Sequence, residues 1–484
     1  MRDALNRRAP RGLALAIAAA LLAGCTVGPK HVRPDVALPT EFDQASPSQT
    51  AAAPGTAVWR AFDDAALDAL IERTLAANTT IAQADARLAE TRALSGLSVF
   101  SLFPTVTAAT DATRSRASNQ DPFVPPGLGT IETYRAGFDA TWELDLFGGL
   151  RNPSRAIRAR ADANAAELRS VRLTMVAETA QAYFALRGAQ RRLALAKENL
   201  DAADEVLKVI ELLFENGRQN GVDFARARAQ RSSLAANLPQ REAELVAQEQ
   251  RLAVLTAQPV AAVRAQVGEA AAFPDLPELV TAGTPDDWLQ RRPDIAAAER
   301  RLAASRNDVG EEQAQFFPKL FLNGAFGWTG QEANVLGDSG AQRWQWGPAL
   351  TWRFLDFGRV RQNVRAAEAR ADGSVAAYRE TVLRALEETE NALAGYRASN
   401  RAAVELGEAA DAAQEASRLS RLRFDVGADD AITLLQTEQT RIDLEDAEVQ
   451  AQTSRATALA ALYKAVAGDF AEAAPAAERV ATDG

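Results

Sequence analysis

The feature that most constrains this chain is a strand-to-helix corner that occurs twice. From Trp344 to Phe354 the residues alternate: Trp344, Trp346, Pro348, Leu350, Trp352 and Phe354 fall on one face, and Gln345, Gly347, Ala349, Thr351 and Arg353 on the other. A period of two is that of a β-strand with one apolar and one polar side. Phe357-Gly358 breaks the pattern, and an Ala/Arg/Glu-rich segment of helical character follows without a spacer. The same corner lies 210 residues earlier, where Trp142, Leu144, Phe147 and Gly148 match Trp352, Phe354, Phe357 and Gly358. A chain built on two such corners must repeat one plan.

The rest of the repeat can be traced outward from the corners. Helical periodicity over Trp59–Leu97 has its counterpart in Trp288–Val309, and Phe103-Pro104 matches Phe317-Pro318 at an offset of 214. Beyond Trp142 the offset is 210, so Phe214, Gly217 and Leu252 fall on Phe424, Gly427 and Leu462. The slippage lies between the strands, where an exposed loop absorbs it. Each copy reads helix, strand, loop, strand, long helix, turn, helix. The first β-hairpin is expected over about Thr105–Arg114 and Tyr134–Leu144, and the second over Leu320–Trp328 and the Trp344 strand. The division expected is signal 1–24, leader 25–57, repeat one 58–282, repeat two 283–470 and tail 471–484.

The strands carry the strongest physical constraint. In the second strand Tyr134, Phe138, Trp142 and Leu144 share one face, with Arg135, Asp139, Thr141 and Glu143 opposite. About ten residues, aromatics on the apolar face and charges behind them suit a membrane β-barrel. A soluble sandwich would need more strands than this chain offers. In such a barrel Arg135, Asp139, Glu143 and Arg353 would line the pore. Four strands cannot close a barrel, and open edges are not tolerated in hydrocarbon. The chain must therefore oligomerise, each copy donating two hairpins.

Pro153–Asn216 reads as one helix, about 96 Å long at 1.5 Å per residue. Leu186, Ala189, Leu193, Ala196, Leu200, Ala203, Leu207, Ile210 and Phe214 step by three and four, which is a coiled-coil seam. Asp223–Leu255 returns as its antiparallel partner. The twin pair, Arg359–Val426 and Asp430–Val466, has a more polar seam that includes Ser399, Ser417 and Ser420. Its tip is expected to be the mobile one.

The amino terminus reads as an address. Arg2, Arg7, Arg8 and Arg11 precede an apolar run from Leu13 to Leu22, ending in Leu22-Ala23-Gly24-Cys25. A basic head, a short apolar core and small residues at the cut describe a bacterial secretory signal, too short to span a bilayer as a mature helix. The LAGC run resembles the lipobox of bacterial lipoproteins, which implies a thioether lipid on Cys25. Thr26 follows where inner-membrane retention would place an Asp, so the address is the outer membrane. Residues 26–57, punctuated by Pro29, Pro34, Pro39, Pro47 and Pro54, read as an extended leader.

Several functions are excluded. The chain has 484 residues, a net charge of −10, one Cys and one His. No basic patch interleaves with aromatics, so nucleic acid is not a partner. A lone Cys25 and a lone His31 make neither a disulfide framework nor a metal cluster. Asp356–Gly358 spells DFG, but the glycine-rich loop and the HRD of a kinase are missing. Arg291, Arg292 and Asp294 flank Pro293, and the simplest account is a helix start with Asp294 as N-cap. No constellation supports an enzyme, and no cofactor beyond the lipid is called for.

The lipobox, VGPKHVRP around Pro29, WRAFDDAALDALI from Trp59, WELDLFG from Trp142, RRPDIAAAE from Arg291, FFP at Phe316–Pro318 and GADDAITLL at Gly427–Leu435 together resemble the TolC-like outer-membrane efflux family. The match is to its NodT-type lipidated outer-membrane factors of tripartite, RND-type drug exporters. That resemblance implies a mainly α fold with transmembrane β. A homotrimer would pool its strands into a 12-stranded barrel and its long helical hairpins into a periplasmic tunnel. It implies a periplasmic adaptor and an inner-membrane pump as partners, with outer-membrane lipid around the barrel. It places a gate at the second tip, with Asp425, Asp429 and Asp430 as acids and Arg421 and Arg423 as latches. An ordinary solvated acidic turn is the other reading of that tip. At the first tip Glu215, Asn216, Arg218 and Asp223 are expected to make adaptor-docking or latch contacts. Two rival roles stay open: an anchored coiled-coil spacer without transport, and the exit duct of a type I secretion system.

Overall fold

The structure is a computed structural model and describes residues 26–44, 58–118, 120, 122, 129–269, 273, 276 and 284–466. The signal segment, Cys25 and the tail expected at 471–484 lie outside the described residues. After a short 3-10 turn, Val58–Phe62, come α1 Ala65–Ala77 and α2 Thr79–Phe100. Strands β1 Thr105–Arg116 and β2 Thr130–Leu144 follow, then α3 Arg151–Glu215 and α4 Gly221–Thr256. The short α5 Val260–Val267 and α6 Pro285–Arg291 lead to α7 Pro293–Ala314. Then come β3 Lys319–Gly330, β4 Gln342–Thr351, α8 Phe357–Asp425 and α9 Ala431–Val466. The fold is mainly helical with one small antiparallel sheet, as the sequence pattern requires.

Two compact units emerge, and each draws on both repeats. The first comprises Met1–Asp35, Arg87–Ala165 and Ala297–Arg379 and contains the whole sheet. Its strands run in the order β1-β2-β3-β4, all antiparallel. Register confirms the face assignment: Phe138 lies opposite Phe326, Phe326 opposite Trp344 and Trp142 opposite Leu322. Trp344 and Trp346 are 70% and 72% exposed on this face, a cost in water that marks a surface made for another phase. Among the described residues the outer edges of β1 and β4 have no strand partner.

The two corners are alike in one contact and unlike in geometry. Trp142 Nε1 donates to Leu102 O at 2.9 Å, and Trp352 Nε1 to Phe316 O at 3.0 Å, each indole tying its corner to the preceding Phe-Pro turn. At the first corner the helix begins three residues after Gly148, whose φ of +89° needs a residue without Cβ strain. At the second, Phe357 and Gly358 already belong to the helix, and the turn falls earlier, with Asp356 N donating to Arg353 O. Strand β4 therefore stops at Thr351, before Trp352, Arg353 and Phe354.

The second unit spans Val36–Ala86, Ala166–Ala296 and Glu380–Gly484, and its described residues hold helices and no strand. Here the Arg-Arg-Pro-Asp run forms a structural knot. Trp288 is fully buried and donates to Ala465 O at 2.9 Å. Arg292 donates to the same carbonyl, pairs with Asp294 at 2.7 Å and Glu388 at 2.6 Å, and stacks on the Trp288 ring. Lys464 completes the network on Glu388. Asp294 is not the N-cap expected: helix α7 starts at Pro293, so Asp294 sits in its first turn and serves Arg292. Pro at the first helical position loses no hydrogen bond there. The expected structural role stands, with a different cap.

Candidate functional site

The two hairpin tips, both in the helical unit, use one backbone device. At the first, Arg218 N donates to Leu213 O at 2.8 Å and Gly217 N to Phe214 O at 2.9 Å. At the second, Ala428 N donates to Arg423 O at 2.7 Å and Gly427 N to Phe424 O at 2.9 Å. These paired bonds are the Schellman ending of a helix, and the glycines supply its left-handed residue with φ of +66° and +77°. Beneath them Val206, Ile210, Ala227, Ala431 and Leu434 form a common core, so the two hairpins are packed together at their ends.

The side chains then diverge. At the first tip the neutral Asn220 caps α4 by accepting from Val222 N and Asp223 N, and Phe214 stacks on Phe224 at 5.3 Å. Glu215, Asn216 and Arg218 are exposed and available to a partner. Asp223 is not: it is 4% exposed and accepts from Asn220 Nδ2 at 2.8 Å, so of its two expected roles the contact within the tip fits and docking does not. A first-turn acid facing the packed seam serves its own cap.

At the second tip the matching positions are charged. Asp430 stands where Asn220 does and accepts from Thr433 N at 2.8 Å. That backbone bond and the Thr433 hydroxyl hold its carboxyl below the usual range. Arg423, in the place of Leu213, clasps Asp429 with both contacts at 2.9 Å. Asp425 is exposed at the helix end. Arg421 does not join this cluster; it reaches across the hairpin to Glu438 at 3.3 Å.

Glu438 was not among the sequence candidates, yet it is the hub of this end. It is 6% exposed and accepts from Ser417 Oγ at 2.9 Å, from Arg421, and from Arg441 at 3.0 Å. Arg441 also holds Glu445 at 2.6 Å and Asn199 of α3 at 3.0 Å, tying the second hairpin to the first. A second hub joins them farther along. Asp446 receives Arg192 twice, at 2.8 and 2.9 Å, and Arg241 at 3.2 Å. Burial raises the Asp446 pKa, but the Arg192 hydrogen bond and charge outweigh it and hold the carboxyl below the usual range. The polar seam was the available signal: Ser417 is buried, and a buried hydroxyl demands a partner, which Glu438 supplies.

In the sheet, Arg135, Asp139 and Glu143 share the face opposite the aromatics, where Arg135 lies across from Asp111 and Glu143 pairs with Lys319 at 3.3 Å. Arg353 does not join them, because the strand ends two residues before it. It belongs to the turn into α8, and its place among the pore-facing strand residues is corrected accordingly. Among the described residues no group of three or more His, Cys, Asp and Glu side chains could hold a metal.

An antiparallel sheet with an exposed aromatic face and two open edges, joined in one chain to two helical hairpins, defines a class: the subunit of an outer-membrane duct. Comparison with known proteins is consistent with that geometry. The family model described as outer membrane efflux protein matches residues 70–258 and again 284–468. The outer membrane protein OprJ of Pseudomonas aeruginosa is 31% identical over 79% of this chain and 80% of its own length. Nodulation protein T of Rhizobium leguminosarum bv. trifolii is 29% identical over 76% of this chain and 78% of its own. The solved outer-membrane channel OprN is 34% identical, with a TM-score of 0.87 over 92% of this chain and all of that one. The chain belongs to the outer membrane efflux protein family. It is an outer-membrane efflux channel that reaches into the periplasm, and the spacer and type I readings are set aside.

Proposed function

We propose that the chain is one third of the exit duct of a tripartite efflux assembly. It passively conducts small toxic compounds handed to it by a periplasmic adaptor and an RND-type inner-membrane pump. The observation that carries this reading is the four-stranded sheet, aromatic on one face, charged on the other and open at both edges. Three copies joined edge to edge give twelve strands and leave no edge in hydrocarbon. Arg135, Asp139 and Glu143 then face water inside the barrel, and the helical hairpins line the tunnel. The lipid on Cys25 adds a second anchor, since one barrel and one acylated residue reinforce each other. No step of this role breaks or forms a bond in the cargo, so the protein works without catalysis.

Closure belongs to the second tip. Around a threefold axis Asp425, Asp429 and Asp430 would form acidic rings that repel one another and favour cations. The Arg423–Asp429 clasp and the Arg421–Glu438 bridge restrain them. Glu215, Asn216 and Arg218 at the first tip are offered to the adaptor. Planar-bilayer recording of the purified trimer tests the whole reading. Discrete cation-preferring steps are expected, larger and more frequent when Asp429 and Asp430 are both replaced by Ala. A protein that passes no current in either form is not a duct, and equal currents in both move the gate elsewhere.

A further inference from the structure

The leader that follows Cys25 is built into the sheet-containing unit by an unusually close crossing. Gly28, with φ of +133°, passes so near α7 that a Cβ there would lie 2.7 Å from the Cα of Gly310. A Cβ on Gly310 would lie 2.6 Å from Asn152 Nδ2. That amide donates to Val27 O at 2.9 Å, Val27 N donates to Phe147 O at 3.2 Å, and Arg306 donates to Lys30 O at 3.2 Å. The first residues after the lipid attachment point are thus pinned between the starts of α3 and the end of α7.

Beside this crossing lies a half-open pocket of about 520 Å³. Its lining residues include Thr26, Lys30, His31, Arg155, Arg306 and Asn307, and no acidic residue is among them. Lys30, Arg155 and Arg306 form no ion pair among the described residues, in a chain whose net charge is −10 and whose other arginines are widely paired. The neighbouring acids are already engaged: Asp308 with Arg160 at 2.5 Å, and Glu299 with His31 at 3.3 Å and Arg33 at 3.8 Å. His31 Nδ1 is buried without a hydrogen-bond partner. Three uncompensated cations around one cavity are the signature of an anion site.

We propose that this pocket binds the phosphate of an anionic phospholipid headgroup in the leaflet that carries the Cys25 anchor. The proposal rests on the lipid-anchor reading of Cys25. Lipid, not a soluble anion, is favoured by position. Thr26 is adjacent in the chain to the acylated residue, and Lys30 is at most about 19 Å of extended chain from it. Asn152, which pins the leader, follows the end of β2 by eight residues. Basic pockets at a membrane surface bind acidic headgroups through such paired charges. The bound headgroup would fix the depth and orientation of the subunit before its strands find their neighbours.

The test uses the full-length lipidated trimer in detergent, titrated with phosphatidylglycerol or phosphatidylcholine and read by native mass spectrometry. Phosphatidylglycerol is expected to bind in preference, and the Lys30→Gln/Arg155→Gln variant to bind it roughly tenfold or more weakly. That variant leaves the Arg306 bond to the leader intact, so weaker binding is not a loosened crossing; Arg306→Gln is the second probe. Equal affinity for the two lipids, or unchanged binding in both variants, overturns the proposal. Displacement of phosphatidylglycerol by millimolar inorganic phosphate also overturns it, since the site would then be one for free anions. Intact mass of the mature protein reports separately whether Cys25 is acylated. An unmodified Cys25 sinks the anchor reading, while phosphatidylglycerol preference reports on the pocket alone.

Discussion

The first and second hairpin tips end their helices with the same two hydrogen bonds and the same left-handed glycine, yet different forces close them. Leu213, the Phe214–Phe224 stack and the neutral cap Asn220 finish the first tip. Arg423, Asp429 and the charged cap Asp430 finish the second. Apolar contact is indifferent to salt and pH, whereas exposed ion pairs respond to both. Duplication supplied one backbone, and substitution made one end fixed and the other responsive. A gate is more readily built from the responsive end.

Replacing the hub is the largest way to break this comparison. Glu438→Ala strands Ser417, leaves Arg421 without its acceptor and takes from the part-buried Arg441 one of its three, Glu445 and Asn199 remaining. The expected cost is about 3 kcal/mol, seen as a lowered Tm of the trimer and a higher open probability. At the matching position of the first hairpin stands Arg228, exposed above the Phe224 ring. Arg228→Ala is expected to cost less than about 1 kcal/mol. Similar losses at the two sites would mean that the hub does not distinguish the tips.

A smaller effect sharpens the contrast. Arg423→Leu gives the second tip the residue of the first and frees Asp429. The change in stability is expected to stay within about 1 kcal/mol, because Arg423 is largely exposed. Its diagnostic is the loss of salt dependence in hydrogen exchange of the tip amides. Persisting salt dependence would place the responsive charges elsewhere.

The smallest effect concerns pH. The carboxyl of Asp430 is held below 3.8 in the folded tip. Its contribution is complete above that value and is lost as pH falls through the lower folded one. The first tip, capped by Asn220, should show no such step. After correction for intrinsic rates, exchange at Ile432–Leu434 should accelerate in acid relative to Val222–Phe224. Asp430→Asn should abolish the difference, and a difference that survives would remove Asp430 as its source.

Much of this architecture was legible in the chain. Alternation in β2 and β3 fixed which residues share a face, because strand side chains can only alternate. Gly217 and Gly427 marked both turns, since a helix ending of this kind needs a residue free at positive φ. The second corner was misread: Trp352 and Phe354 continue the alternation of β4, but the chain has already turned. A side-chain period cannot report where backbone pairing stops. Asp223 looked like an exposed acid beside a turn and is buried, because its neighbour Asn220 turns it inward.

By itself the sequence determined that the chain is duplicated, that its strands have a wet and a dry face, and that four strands are too few. These are properties of local period and of counting. Only the tertiary structure decided that Glu438 and Asp446 bind the two hairpins together, and that the leader crosses at Gly28 and Gly310. Arg441 reaches Asn199 over 242 residues of chain, and Asn152 reaches Val27 over 125. Such pairs carry no signature in spacing, because they form only where separately formed helices happen to pack.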